Sequence, residues 1–582
     1  MLSTLPRPRI YAVLRRRTSF TWVFLPFFLC TGVAGAAPPE APEAPDPSPA
    51  EARQPILPGE PTGPEISDAS PKLGSAADTD IDPPPAPKPT APAAADPADT
   101  PAPAKTNEHK NKNKNKNKNK NKVRSRALED SRGLNRHDPN TPPGYSEGFH
   151  FGSYGRVVAG GDATGRAIRN ADIVAFGSRL DASTYAELEI RREDYWEATD
   201  SYTRMVMTLA MANPAFHYTG NFDVKMAIRN LYLESADLGV RGLRVWVGSR
   251  MYRGDDIYVL NFWPLDNLNT IGGGVGYYFQ SQTSLKLHAG LNQPQNGWFK
   301  QSIDRPLPQN QIGATQVALL DRQKLIASAK LEHTFNVGET GGIKASGYGE
   351  FHYTGQGQRE IADLVYEELP ADRGFVAGAQ VSAFTGKRSS YLNLIGRYAG
   401  GMAAYGEFNA PVQLALDRSS KGARELLFAA TGNYEIGPFG VMLGSYFRSF
   451  RNASPALDYG DLNEGIVLLR PQIWLTKKRF VGLALEGSYQ AQQRGSTTTD
   501  DSGDTTPLFA QVGRFGVIPF LSPGGAGAFT RPHLQLIYLL TLRDAGARSL
   551  YAEDDVFSRR GVDHFIGITA EWWFGSTSYF RD

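Results

Sequence analysis

The chain has 582 residues, 62 Lys and Arg against 60 Asp and Glu for a formal net charge of +2, and a negative mean hydropathy. This balance supplies no basic face, so nucleic acid is not expected as a partner. It leaves a membrane barrel open, because such a barrel alternates lipid-facing and lumen-facing residues and the two faces cancel in any average.

The N-terminus carries Arg7, Arg9, Arg15, Arg16 and Arg17, then the apolar run 20–29, then Ala34-Gly35-Ala36. A basic start, an apolar core too short to span a bilayer as a helix, and a small-residue end predict a secretory signal peptide over 1–36, cleaved after Ala36. Cys30 is the one cysteine. Leu29 stands where a small residue is needed before a lipidated cysteine, so Cys30 reads as part of the apolar core. Its loss on cleavage leaves no thiol. That suits export to an oxidising compartment and removes disulfide, thiolate-metal and cysteine-nucleophile chemistry together.

Residues 37–147 form a predicted disordered linker. From 38 to 104 the composition is dominated by Pro, Ala, Asp and Glu, with too little apolar surface to offset the entropy of ordering a chain. An alternating Lys-Asn run fills 110–122, where like charges repel and nothing exists to bury. It reads as a solvated spacer, with a second reading as a basic tract that contacts an anionic cell-wall polymer in the periplasm.

After Gly148 the sequence turns to short runs of period-two alternation separated by Gly, Pro, Asn and Asp, and this continues to the chain's end. In 483–490 one face collects Leu483, Leu485 and Tyr489 and the other Glu486, Ser488 and Gln490. Leu285, Leu287, Ala289 and Leu291 oppose Lys286, His288 and Asn292 in the same way, as Ala186, Leu188 and Ile190 oppose Tyr185, Glu187 and Glu189. Short connections such as Gly437-Pro438, 385–388 and 476–479 alternate with longer loops such as 361–373 and 496–506. Short turns on one rim and long loops on the other mark an outer-membrane barrel.

The fold class expected is therefore all-β: a transmembrane antiparallel barrel over 148–582. Its roughly 435 residues, at about 25 per strand with connection, supply about 16 to 18 strands, and 18 is favoured. A large soluble sandwich or propeller is the alternative; it would turn its apolar residues toward a packed core. The barrel would sit in outer-membrane lipid with the N-terminal tail in the periplasm. No Gly-x-Ser-x-Gly elbow, paired-histidine zinc helix or phosphate loop occurs in it, so no enzyme, metal or cofactor is expected. His288 and His533 read as lumen or interface residues.

At the start of the barrel, Phe149-His150-Phe151-Gly152-Ser153-Tyr154-Gly155-Arg156 resembles the first strand of the maltoporin family, which opens with a Phe, a Gly-Tyr pair and an Arg two residues beyond. Three more blocks match in the same order: Arg179-Leu180 leading to Thr184-Tyr185-Ala186-Glu187-Leu188, then 229–234, then Val245-Trp246-Val247-Gly248-Ser249-Arg250 running to Asp266. Residues 567–574, ending Glu571-Trp572-Trp573-Phe574, resemble the family's closing strand. The resemblance covers the barrel, firmly in its first third and last strand, and leaves 1–147 uncovered.

It implies an 18-stranded homotrimeric channel in which oligosaccharides slide along aromatic rings while charged groups hold their hydroxyls. A pyranose has an apolar C–H face that stacks on a ring and a hydroxyl rim that must exchange water for protein hydrogen bonds. The resemblance places Tyr154, Tyr185 and Trp573 on the slide. It places Arg156, Arg179, Glu187 and Arg229 in a polar track on the wall, with Asp256, Asn261, Trp263 and Asp266 on a segment resembling an inward-folded third loop. For Tyr154 and Tyr185 the alternative is an interfacial girdle, but each is in phase with a charged neighbour, Arg156 and Glu187. Trp572 should face lipid.

The chain departs from the family at several places. Gly254 falls where an arginine is expected, with Arg253 beside it, and Asn261 replaces an acid. The loop-two tryptophan has no clear counterpart, with Phe216, Tyr218 or Phe222 as substitutes. A slide tryptophan is missing near Gly465-Ile466-Val467 and the aromatic around Phe375 is displaced, which puts maltodextrin specificity in doubt. The chain also continues past Phe574 to Asp582. A non-specific ion porin and a barrel that tethers membrane to cell wall are the competing functions.

Overall fold

The computed structural model describes residues 145 and 147–576, apart from 163, 167–168, 213–225, 308–310, 386–389, 455–459 and 496–506. The expected signal peptide and the tail through 144 lie outside the described residues, as do Phe216, Tyr218, Phe222, the 386–388 turn residues, the 496–506 loop and the last residues, 577–582.

The described chain is built of strands: β1 (Gly148–Asp162), β2 (Tyr185–Trp196), β3 (Ser201–Ala212), β4 (Met226–Ala236), β5 (Leu243–Arg253), β6 (Asn267–Tyr278), β7 (Thr283–Asn292), β8 (Lys300–Pro306), β9 (Ala314–Asp321), β10 (Lys324–Val337) and β11 (Gly341–Thr354). There follow β12 (Gly357–Ala362), β13 (Val365–Leu369), β14 (Asp372–Thr385), β15 (Ser390–Gly401), β16 (Arg424–Ile436), β17 (Phe439–Arg451), β18 (Leu462–Trp474), β19 (Val481–Arg494), β20 (Leu508–Leu521), β21 (His533–Arg543) and β22 (Val562–Phe574). All but the hairpins β8–β9 and β12–β13 belong to one 18-stranded antiparallel sheet, and β1 pairs with β22 as well as β2. The sheet closes with no free edge, the condition for strands to cross lipid. No described helix is long and apolar enough to cross a membrane.

The alternation read from the sequence resolves into an inside-out protein. Leu188, Ile190, Leu287, Leu291, Leu485 and Tyr489 point outward and are exposed, while Glu187, Glu189, Lys286, His288, Glu486 and Gln490 point into the lumen and are buried. The outer face is dressed for lipid and the inner face for water, which is why the average hydropathy is low.

The two rims differ as expected. Gly437-Pro438 joins β16 to β17 and 197–200 joins β2 to β3, whereas the other rim carries 163–184, 254–266, 402–423 and 544–561. The loop expected over 361–373 is corrected in part: β12 and β13 pair across it as a hairpin, because Arg359–Glu367 and Gln358–Glu368 cross-strand pairs hold it. One connection on the short-turn rim, 522–532 between β20 and β21, is long, and it turns into the lumen: the Ala528 N–H donates to Glu435 Oε1 at 2.8 Å.

Candidate functional site

Three connections meet inside the barrel. Loop 254–266 folds inward, with a 3₁₀ turn over Tyr258–Leu260 that ends at Asn261 in the left-handed region, φ 52°. Its apolar face, Ile257, Val259, Leu260, Phe262 and Leu265, is almost fully buried against one side of the lumen, joined by Leu427 of β16, Met442 and Tyr446 of β17, and Ile466 and Leu468 of β18. Glycines make the wall flat enough for this. A Cβ at Gly378 would stand 2.6 Å from Leu265 Cδ1, and one at Gly444 would collide with Val259.

Ion pairs hold both ends of this loop. Lys344 Nζ donates to Asp255 Oδ2 at 2.6 Å and Lys330 Nζ to Asp266 Oδ2 at 3.0 Å, while Glu332 draws Lys286 and Lys330 together at 3.3 and 3.4 Å. Burial raises the Asp266 carboxyl above the usual carboxylate range, and Lys330 opposes the rise. Loop 163–184 adds to the same cluster: Phe176 stacks on Phe262 with centroids 3.8 Å apart. Wall side chains receive its backbone, with the Ile173 N–H donating to Gln490 and the Phe176 N–H to the Tyr446 hydroxyl.

The opposite side of the lumen carries the rings. Tyr154 on β1 faces inward, and its register neighbours are Glu187 on β2 and Trp573 on β22. The Tyr154 and Tyr185 centroids lie 5.9 Å apart. The Tyr185 hydroxyl donates to Glu187 Oε1 at 2.5 Å and accepts from Arg229, which also pairs with Glu187 at 3.0 Å. Arg229 reaches the lumen because β4 bulges against β3 between the Thr208 and Leu209 partners, so the extra residue is re-aimed inward.

Trp573 meets Tyr258 edge to face at 5.9 Å and carries the Arg531 guanidinium over its ring at 3.9 Å. Trp572 points to the outer face, lying over Gly155 with its Nε1–H donating to Ser153 Oγ at 3.1 Å.

Of the polar track, Arg156 lies on the β1 wall and donates to the Ser183 carbonyl at 2.9 Å. Arg179 is corrected from wall to loop. It sits on 163–184, which folds inward so that its guanidinium donates to the Tyr154 hydroxyl and, at 3.2 Å, to the Tyr258 carbonyl. Asp256 is half-buried and Asn261 exposed at the loop's tip. Trp263 is half-buried beneath the Arg253 guanidinium, 4.3 Å from its ring centroid. Asp266 is taken up by Lys330 and serves to anchor the loop. Gly254 occupies the expected arginine position because a side chain there would run into Asp266. Across the lumen, Phe375 faces outward and Ile466 lies in the apolar cluster, so β14 and β18 present no ring there.

Sequence reasoning missed Tyr258 and Arg531. The Tyr258 hydroxyl donates to Glu571 Oε2 at 2.6 Å and accepts from Arg531, whose Nε donates to the same carboxylate oxygen at 2.9 Å. Burial pushes the Tyr258 phenol up to about 12, with Arg531 opposing and Glu571 adding to the rise. It therefore stays a donor. Phe529, two residues before Arg531, packs edge to face on Tyr258 at 5.6 Å. The available signal was the length of 522–532 on a rim of short turns, together with an aromatic midway between Asp256 and Asn261.

A family model described as LamB porin matches residues 149–574. No curated protein matches the chain in sequence. Among solved structures, the chain is similar to OccAB1 of Acinetobacter baumannii, at 11% identity and TM-score 0.40 over 75% of this chain and 99% of that one. It is also similar to the outer membrane channel DcaP of Acinetobacter baumannii, at 11% identity and TM-score 0.37 over 75% and 100%. OpdK, an outer membrane protein of Pseudomonas aeruginosa, matches at 10% identity and TM-score 0.35 over 74% and 100%.

Proposed function

Given that the chain belongs to the LamB porin family and is an outer-membrane porin channel for solute diffusion, we propose that the solutes it favours are oligosaccharides. The observation that carries this reading is the row of inward rings, Trp573, Tyr154 and Tyr185 on adjacent strands β22, β1 and β2, faced by Tyr258 of the inward loop. Each ring has an ionised partner in reach: Arg531 for Trp573, Arg179 for Tyr154, and Arg229 with Glu187 for Tyr185. Rings supply apolar faces for pyranose C–H groups, and charged groups beside them such as Glu187 and Arg229 exchange hydrogen bonds with hydroxyls. Similar weak sites in a row keep the barrier between steps small, as conduction requires.

The test is planar-bilayer conductance, in which an oligosaccharide should block the ion current saturably and at low affinity. Tyr154→Ala and Tyr185→Ala should weaken that block by roughly tenfold, the worth of one stacking contact, while changing ion conductance less. Block that survives both substitutions unchanged would discredit the slide. A current indifferent to every sugar would leave a general porin. Trimeric assembly and contact of the 110–122 tract with an anionic periplasmic polymer belong to the same proposal, to be checked by crosslinking and by pull-down against a tract-deleted chain.

A further inference from the structure

Most of the lumen wall is electrically balanced, strand by strand. Arg191 and Arg204 pair with Glu193, Arg250 with Glu234, Arg397 with Glu425, Arg448 with Glu464 and Arg470 with Glu486, each within 3.1 Å. Pairing of this kind is the ordinary way to keep a guanidinium at low cost on a partly dehydrated wall.

Among the described wall residues Arg156 and Arg253 depart from this pattern, and both flank the rings. Arg156 has the Ser183 carbonyl as its hydrogen-bond partner, and its Nε and Nη1 are shielded from solvent with no partner among the described residues. Arg179 stands beside it with like charge, and Glu571 acts on it only from beyond ion-pair reach, its Oε2 engaged by Tyr258 and Arg531 and its Oε1 3.9 Å from Arg179 Nη2. Arg253 donates to Asn269 Oδ1 at 3.2 Å, lies over Trp263, and its Nε has no hydrogen-bond partner among the described residues. The acid nearest in influence besides Glu187 is Glu407, whose two oxygens are held by the Asn269 backbone and side-chain amides at 2.6 and 2.9 Å.

Arg156 and Arg253 thus bound the arc that runs from β1 through Tyr185, Glu187 and Arg229 to β5, and at neither end does an acid among the described residues stand within ion-pair distance of the guanidinium. An unneutralised guanidinium on a narrow wall between low-dielectric surfaces attracts anions and repels cations. A guanidinium whose charge no adjacent acid neutralises favours a carboxylate over a neutral hydroxyl.

We propose that this constriction selects acidic sugars, with Arg156 and Arg253 as the specificity-determining residues for a uronate carboxylate while Tyr154 and Tyr185 take the ring. The inference rests on the oligosaccharide reading above and assigns its substrate class. The experiment compares block of single channels by trigalacturonate and by neutral maltotriose, alongside the reversal potential in a salt gradient. Trigalacturonate should half-block at a concentration roughly tenfold lower, the factor one charge-assisted hydrogen bond supplies, and the channel should be anion-selective. Arg156→Gln with Arg253→Gln should abolish the anion selectivity and the preference, bringing the half-blocking concentrations of the two sugars to within about twofold of each other. Retained heat-modifiable migration would establish that the variant folds.

Equal block by the two sugars, cation selectivity, or a preference that survives the double substitution would overturn the assignment while leaving the slide in place. A current indifferent to both sugars would remove the oligosaccharide reading itself and this inference with it.

Discussion

Loop 254–266 narrows the lumen because its apolar face is docked on the wall, and cutting that face back should undock it. Ile257 and Leu265 are fully buried, over the bare backbone at Gly444 and Gly378 respectively. Ile257→Ala and Leu265→Ala each cost roughly 2–5 kcal/mol in a site that cannot collapse, so about 4–10 kcal/mol together. The Asp255–Lys344 and Asp266–Lys330 pairs still hold the ends, leaving the stretch from Tyr258 to Phe262 free to leave the wall. The 18-stranded ladder is untouched, so heat-modifiable migration in detergent should persist. Planar bilayers should report a larger, noisier single-channel current and sugar block weakened about tenfold, since Tyr258 would keep its place opposite Trp573 only through its hydrogen bonds to Glu571, Arg531 and Arg179, without a docked backbone behind it. A folded double variant with wild-type amplitude, noise and block would refute apolar docking as the origin of the constriction.

Two further outcomes follow from the ion pairs. Arg229→Met should leave the buried Glu187 with Tyr185 as its remaining hydrogen-bond donor, a loss of roughly 3–5 kcal/mol; the temperature of heat-modification should fall, and Glu187→Gln added to it should restore most of the loss. Lys330→Met should make stability depend on pH through Asp266, whose carboxyl is already raised by burial. A carboxyl raised in the folded state binds more protons there than when unfolded, so stability is greatest at low pH and falls as pH rises through the ordinary carboxylate range toward the raised value. Asp266→Asn in the Lys330→Met background should flatten that dependence, and a slope of opposite sign in thermal melts would count against it.

The barrel was legible because each strand repeats one signal. Leu285, Leu287 and Leu291 against Lys286 and His288 state which face meets lipid before any partner strand is known, and length divided by strand spacing gives the count. Connections that fold inward carry no such period. The resemblance puts Arg179 on the wall; its place on a loop depends on the Tyr258 carbonyl and the Tyr154 hydroxyl, both distant along the chain. Arg229 is on the outward phase of β4 by simple alternation, and only the bulge against β3 turns it inward. The partner of Asp266, Lys330, lies on β10, a pairing that no local pattern specifies. Arg531 belongs to 522–532, a connection whose inward course likewise has no period to announce it.

The lumen's asymmetry ties these features together. On β16, β17 and β18, residues such as Leu427, Tyr446 and Ile466 are covered by two inward loops, so a solute is denied that wall. It is pressed instead toward β22, β1 and β2, where rings and guanidinium groups are already in contact with one another. The Arg531 guanidinium stacked on Trp573 commits its N–H groups to Glu571, Tyr258 and the Ala528 and Thr530 carbonyls, so its plane is fixed and it holds the indole in place beforehand. The same contact covers one face of the ring and limits stacking to the other, which keeps each contact weak. Weak, prearranged contacts in sequence are what passage demands, since a site that bound tightly would hold its solute.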